Sequence, residues 1–291
     1  MEKMTNYPIT GHTRLICLLG SPVGHSKSPM MHNRAFEELG LDYRYLAFDV
    51  NEDSLETAVE GLKALGARGM NLTMPCKNKI VSLCDRLSPA AEICQAVNTV
   101  VIEEDKTLSG HTTDGAGFIA SCRTEGVEIS GEKLTILGAG GAGTAVLVQM
   151  ALDGAREISL FSRSSSPFIR RTKDVIRQLN ERTACRVTLC DYDDERLKQE
   201  VQSSRLLVNC TNVGMAPDTD ACLIPDASFF TPNLAVADII YNPLETKLIR
   251  MAKEAGCKAF GGLNMLLYQG AEAFRLWTGQ DMPVELIRKT C

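Results

Sequence analysis

Leu134-Thr-Ile-Leu-Gly138-Ala139-Gly140-Gly141-Ala142-Gly143-Thr-Ala-Val-Leu-Val-Gln149 is the stretch whose reading sets the fold of this chain. A short apolar, β-branched run enters a cluster of glycines, and a helix-compatible apolar segment leaves it. The spacing Gly138-x-Gly140-x-x-Gly143 between a strand and a helix is the pattern of a dinucleotide-binding turn. Gly138 permits the tight turn, Gly140 lets the backbone approach a pyrophosphate, and Gly143 lets helix and strand pack closely. Free N–H groups at the helix start would then face the phosphates. No charge falls between Leu134 and Leu152, so hydropathy alone also allows a membrane span. The clustered glycines, and Asp153, Arg156 and Glu157 directly after, argue against it.

A chain of 291 residues is long enough for two domains with cores of their own. Its apolar fraction of 44% and charged fraction of 23% are those of soluble globular proteins. With 31 basic and 36 acidic residues the net charge is −5, which disfavours nucleic acid and anionic membrane surfaces as partners. The 11 cysteines include no C-x-x-C pair and stand beside no histidine cluster. They read as reduced thiols of a cytoplasmic protein, with neither a metal site nor a disulfide framework. The opening Met-Glu-Lys-Met-Thr-Asn lacks the apolar core of a secretion signal.

A turn beginning at Gly138 leaves a large region ahead of it, expected as a separate α/β domain with a mainly parallel sheet. Arg14 to Leu19 reads as a strand ending at Gly20. Ser21-Pro22-Val-Gly-His25-Ser26-Lys-Ser28-Pro29 leads into an amphipathic helix, with Ser28 as its N-cap and Pro29 at its first position. Ser26 and Ser28 read either as simple caps or as hydroxyls that hold a carboxylate at the helix start. Strands follow at 42–50 and 68–73 with a helix at 54–65 between them, an order that implies parallel pairing. The loop Thr73-Met-Pro75-Cys-Lys77 then lies at a carboxyl end, where such sheets place ligands. Lys77 is there a proton donor or a solvated loop lysine. Asn98 and Thr99 open another strand, His111 is a loop or edge residue, and Asp114 reads as the N-cap of a new helix.

Behind the glycine turn, 156–161 is the second strand of a Rossmann unit. Its end, Ser162-Arg163-Ser164, carries no acid to hold a ribose 2′-hydroxyl, while Arg163 suits a 2′-phosphate or is a plain surface arginine. This leans to NADP over NAD. The strand at 205–210 ends in Thr211-Asn-Val213-Gly214, a loop expected near the nicotinamide half of the cofactor. Tyr241 closes the next strand, and a helix at 261–277 carries Gln269, read on its residues alone as buried and satisfied by backbone or as reaching a ligand.

Six segments lie in one order over nearly the whole chain: Ser21-Pro22…His25-Ser26…Ser28-Pro29…His32-Asn33, Asn71-Leu-Thr73-Met-Pro75-Cys-Lys77, Ala96-Val-Asn98-Thr99, Thr113-Asp114-Gly115…Gly117, Gly138-Ala-Gly-Gly-Ala, and Tyr268-Gln269-Gly270. Together they resemble the shikimate dehydrogenase family, and within it the quinate/shikimate dehydrogenase branch. The resemblance implies a substrate domain from 1–115 and 262–291 and an NAD(P)-binding Rossmann domain from 116–261. It implies interconversion of 3-dehydroshikimate and shikimate, extending to 3-dehydroquinate and quinate, without a metal.

Residue by residue, it implies that Ser26 and Ser28 bind the substrate carboxylate, that Thr73, Asn98 and Gln269 bind ring hydroxyls, and that Tyr241 touches substrate. Lys77 and Asp114 would be the catalytic pair. Gly138, Ala139, Gly140, Gly141 and Ala142, with Ser162, Arg163, Ser164, Thr211, Val213 and Gly262, would hold NADP or NAD. Many members carry Asn in place of Ser162, a basic residue in place of Pro167 and Gly in place of Asn264. The branch includes enzymes that accept NAD. A non-catalytic NAD(P)-binding regulator, and a dehydrogenase for a related hydroxylated cyclic acid, remain the alternatives, as does a homodimer for the assembly.

Overall fold

Apolar runs broken by glycine build the first half of the molecule, whose computed structural model describes residues 8–289. The N-terminal residues read for a secretion signal lie outside the described residues. The chain divides into two units: one takes the residues up to Thr113 together with those from Gln269 onward, the other runs from Asp114 to Tyr268.

The first unit contains β1 (Arg14–Gly20), α1 (Ser28–Glu38), β2 (Tyr43–Asp49), α2 (Leu55–Ala64), β3 (Gly69–Leu72), α3 (Cys76–Lys79), β4 (Arg86–Leu87), α4 (Pro89–Cys94), β5 (Thr99–Ile102) and β6 (Leu108–His111). Its sheet runs β2-β1-β3-β5-β6-β4. The β1–β2, β1–β3 and β4–β6 pairs are parallel, whereas β5 is antiparallel to both neighbours. A tight turn accounts for the β5–β6 pair: Asp105 takes the N–H and hydroxyl of Thr107, and Lys106 adopts a φ of +65°. One face of the sheet buries Cys17, Leu19, Met70, Leu72 and Val100 against Leu55, Val59 and Leu62 of α2.

The second unit contains α5 (Asp114–Thr124), β7 (Lys133–Leu137), α6 (Gly141–Leu152), β8 (Glu157–Phe161), α7 (Ile169–Arg182), β9 (Arg186–Cys190), α8 (Asp194–Gln202), β10 (Leu206–Asn209), β11 (Ala235–Asp238), α9 (Lys247–Glu254) and β12 (Lys258–Phe260). The order β12-β11-β10-β7-β8-β9 is parallel throughout, a doubly wound sheet whose order reverses between β7 and β10. Each central strand is buried on both faces, which is why these strands read as continuous apolar runs and not as alternating ones. The helix α10 (Leu263–Thr278) follows, and α11 (Val284–Arg288) completes the first unit. Among the described residues no helix is long and apolar enough to cross a membrane.

Candidate active site

Gly20 ends β1 where a side chain has no room: a Cβ there would meet the Thr73 methyl and the Met74 carbonyl. The loops after β1 and β3 therefore run side by side, with Ser21 N donating to Met74 O (2.8 Å) and Thr73 N to Leu19 O (2.9 Å). Asn98 precedes β5 and Thr113 follows β6, so the antiparallel pairing returns both to this same end of the sheet. There Asn98 Oδ1 accepts from Thr113 N at 2.8 Å, and Asn98 Nδ2 donates to Thr113 Oγ1 at 3.1 Å. Val97 N donates to the Lys77 carbonyl, tying α3 to the start of β5. Ser26, Ser28, Thr73, Lys77 and Asn98 thus gather at one end of one sheet. Gln269 joins this unit on α10, beside Gly270, where any Cβ would run into the Met31 methyl of α1.

Three expectations are corrected here. Lys27, in helical conformation, holds the N-cap position of α1, and no side chain caps the helix; Ser28 is its first residue and Pro29 its second. Ser26 Oγ accepts the Ser28 N–H at 3.2 Å, so the turn before the helix is closed by Ser26 and the Ser28 hydroxyl is not spent on capping. Lys77 is not on an open loop. It lies half-buried on α3, whose backbone begins right after Pro75. Asp114 likewise stands inside α5 as its first residue, where the helix dipole favours an acid.

A polar network missed in the sequence underlies these groups. The Tyr45 hydroxyl, fully buried, donates to Asn71 Oδ1 at 2.7 Å and lies in hydrogen-bonding reach of Ser28. Asn71 Nδ2 in turn donates to Asn98 O (2.9 Å) and Thr99 Oγ1 (3.0 Å). Burial pushes the Tyr45 phenol far above its usual pKa, so it acts as a neutral donor. The available signal was Asn71 itself: an amide between Met70 and Leu72 in a buried strand needs partners.

In the second unit the glycine turn behaves as its spacing requires. Gly138 has φ +96°, and a Cβ there would lie 2.6 Å from Thr211 Cγ2. A Cβ on Gly143 would collide with the Gly138 carbonyl, so only glycine lets α6 pack on β7. Gly140 and Gly141 instead face open space, and Gly140, the N-cap of α6, offers no side chain to its N–H groups. That open, donor-rich cradle fits a dinucleotide pyrophosphate. Ser162 is buried at the end of β8, followed by exposed Arg163 and Ser164, with no carboxylate at that strand end. Arg163 lies close enough to Tyr192 to oppose the rise in its pKa that burial causes. Thr211 and Val213 form the loop after β10, at the point where strand order reverses. Tyr241 is exposed just past β11, and Gly262 lies against the Ile239 carbonyl, where no side chain fits.

These two units define an α/β protein with a dinucleotide-binding sheet and a second sheet that presents hydroxyl, amide and ammonium groups at one end. The comparisons narrow this. Residues 18–100 match the model of the shikimate dehydrogenase substrate binding domain, and residues 262–291 that of the shikimate 5'-dehydrogenase C-terminal domain. The shikimate dehydrogenase (NADP(+)) of Streptococcus equi subsp. zooepidemicus (strain MGCS10565) is 50% identical over 284 residues, 97% of this chain and 96% of that protein. The structure of shikimate 5-dehydrogenase from Listeria monocytogenes, in complex with shikimate and NAD, superposes with a TM-score of 0.95 at 45% identity, covering 98% of both chains. Quinate dehydrogenase from Corynebacterium glutamicum, in complex with NAD, gives 0.84 at 28% identity, covering 96% of this chain and 98% of that one. The chain belongs to the shikimate dehydrogenase family.

Proposed function

We propose that this chain is an NAD(P)-dependent dehydrogenase that interconverts 3-dehydroshikimate and shikimate, with 3-dehydroquinate and quinate as its second substrate pair. The gathering of Ser26, Ser28, Thr73, Asn98 and Lys77 at one end of the first unit's sheet carries this reading. Ser26 and Ser28 hold the carboxylate, and Thr73, Asn98 and Gln269 hold the ring hydroxyls. Gly138, Gly140 and Gly141 bring backbone N–H groups to the pyrophosphate, and Arg163 suits a 2′-phosphate, which makes NADP the favoured cofactor. The bound nicotinamide supplies or accepts the hydride. As the carbonyl is reduced, negative charge builds on its oxygen, and the Lys77 ammonium meets it with charge and a proton. In the reverse direction Lys77 takes that proton from the hydroxyl, and Asp114 assists by orienting the transfer.

Spectrophotometric assays of the full chain with shikimate and quinate, each against NADP+ and NAD+, test this. The expected result is turnover of shikimate, faster with NADP+ than with NAD+. Dinucleotide binding without turnover of either acid would instead identify a regulator. The cytoplasm is the compartment inferred, because the cysteines among the described residues form no disulfide and are buried or half-buried.

A further inference from the structure

Asp238 ends β11 as a carboxylate with 1% exposure and no cation against it among the described residues' ion pairs. Every hydrogen bond it makes is one it accepts. Ile240 N donates to Oδ1 at 3.0 Å, Thr246 Oγ1 to Oδ2 at 2.8 Å, and Asn209 Nδ2 to both oxygens at 3.1 and 3.2 Å. The donors that surround it suit the ionised form, while burial raises its pKa.

The carboxylate therefore sets the direction of the bonds beyond it. Because Asn209 turns its amide N–H groups to Asp238, its Oδ1 faces the next loop and accepts from Thr211 Oγ1 (2.7 Å) and Thr211 N (3.1 Å). Thr211 Oγ1 then accepts from Val213 N at 3.1 Å, and Asn209 Nδ2 also reaches the Val213 carbonyl at 3.2 Å. A second limb runs through Thr246, whose hydroxyl caps α9 by accepting from Ile249 N.

We propose that Asp238 is a positioning residue for the cofactor, acting through Asn209 to fix the Thr211–Val213 loop in the shape that receives the nicotinamide half. This rests on the assignment of that loop to the nicotinamide side of a dinucleotide site. Asp238→Asn keeps one acceptor oxygen and puts an amide NH2 in place of the other, so whichever way the amide sits it opposes the Asn209 NH2 that reaches both oxygens. Turning the Asn209 amide to relieve the conflict presents its N–H groups to the Thr211 N–H and breaks the loop limb.

The test is calorimetric binding of NADP+ and of adenosine 2′,5′-bisphosphate, which carries the adenine half and no nicotinamide, to the full chain. In Asp238→Asn, NADP+ should bind about tenfold or more weakly, the cost of a broken buried hydrogen-bond limb, while the bisphosphate binds as in the parent. In Thr246→Val, which cuts only the α9 limb, both affinities should stay. Where Asp238→Asn does not fold, Asn209→Ser keeps one donor for the carboxylate and cannot hold both Thr211 and Val213; it should show the same selective loss. Unchanged NADP+ binding, equal loss of both ligands, or an equal NADP+ loss in Thr246→Val would each overturn the proposal. Failure of the parent to bind the bisphosphate would instead remove the dinucleotide site on which it rests.

Discussion

His32 is a titratable side chain kept from titrating. It is fully buried, stacked on Tyr45 at 4.6 Å with its edge toward Trp277, and neither ring nitrogen has a hydrogen-bond partner. Burial lowers its pKa from 6.5 to about 3. Below pH 6.5 the unfolded chain takes up a proton that the folded chain refuses down to about pH 3, so stability falls with pH across that window. At pH 5 the difference is about 2 kcal/mol. His32→Phe, which keeps the stack and forfeits no hydrogen bond, should lose about that much less stability than the parent between pH 7 and pH 5 in urea unfolding. At the site, Lys77→Ala should lower kcat by about a hundredfold or more while KM for shikimate changes little, as expected of a group acting on the developing alkoxide. A loss confined to KM would reassign Lys77 to binding.

The elements show where local sequence is sufficient. The turn at Gly138–Gly143 was legible because the glycine spacing is itself the signal: Gly138 adopts φ +96° and a Cβ on Gly143 would meet the Gly138 carbonyl, while Gly140 and Gly141 stay open. Asp193 and Thr246 likewise cap α8 and α9 through bonds to residues three positions on. The short strands β4 and β12 left no periodic pattern to read. The Ser28 cap failed because the helix starts one residue earlier, with Lys27 at the N-cap, and Ser26 Oγ accepts the Ser28 N–H in the turn before it. The antiparallel β3–β5 pairing escaped because neither strand records which way its partner runs; the Asp105-Lys106 turn records only how β6 meets β5. The Asn209–Asp238 pair was invisible because β10 and β11 meet in register across a long connection. Glycine sites turn this into a contrast. Gly143→Ala drives a Cβ into the Gly138 carbonyl, and should cost about 1–3 kcal/mol and weaken NADP+ binding. Gly61→Ala, exposed on α2 with nothing within 4 Å of the new methyl, should stabilise by about 0.5–1 kcal/mol in the same unfolding assay.

Over the whole molecule, the first unit is assembled from stretches far apart in the chain, and Trp277 is the clasp that joins them. Its side chain is 1% exposed, its Nε1 donates to the Val100 carbonyl at 3.0 Å, and its own carbonyl accepts from Arg68 Nε at 3.0 Å. Gly69 makes the fit possible, because a Cβ there would stand 2.5 Å from the indole nitrogen. Helix α10 thus completes a core that the first hundred residues leave open, a dependence that no local pattern around Trp277 announces. Trp277→Phe keeps an aromatic ring in place but strands the Val100 carbonyl in the interior, which should cost about 1–3 kcal/mol. Urea unfolding followed by far-UV circular dichroism reads this out, since the substitution removes the chain's one tryptophan. The proposed cofactor residues lie within Asp114–Tyr268, so adenosine 2′,5′-bisphosphate should bind the folded variant with parental affinity. An equal loss there would mean that the clasp supports both units and not the first alone.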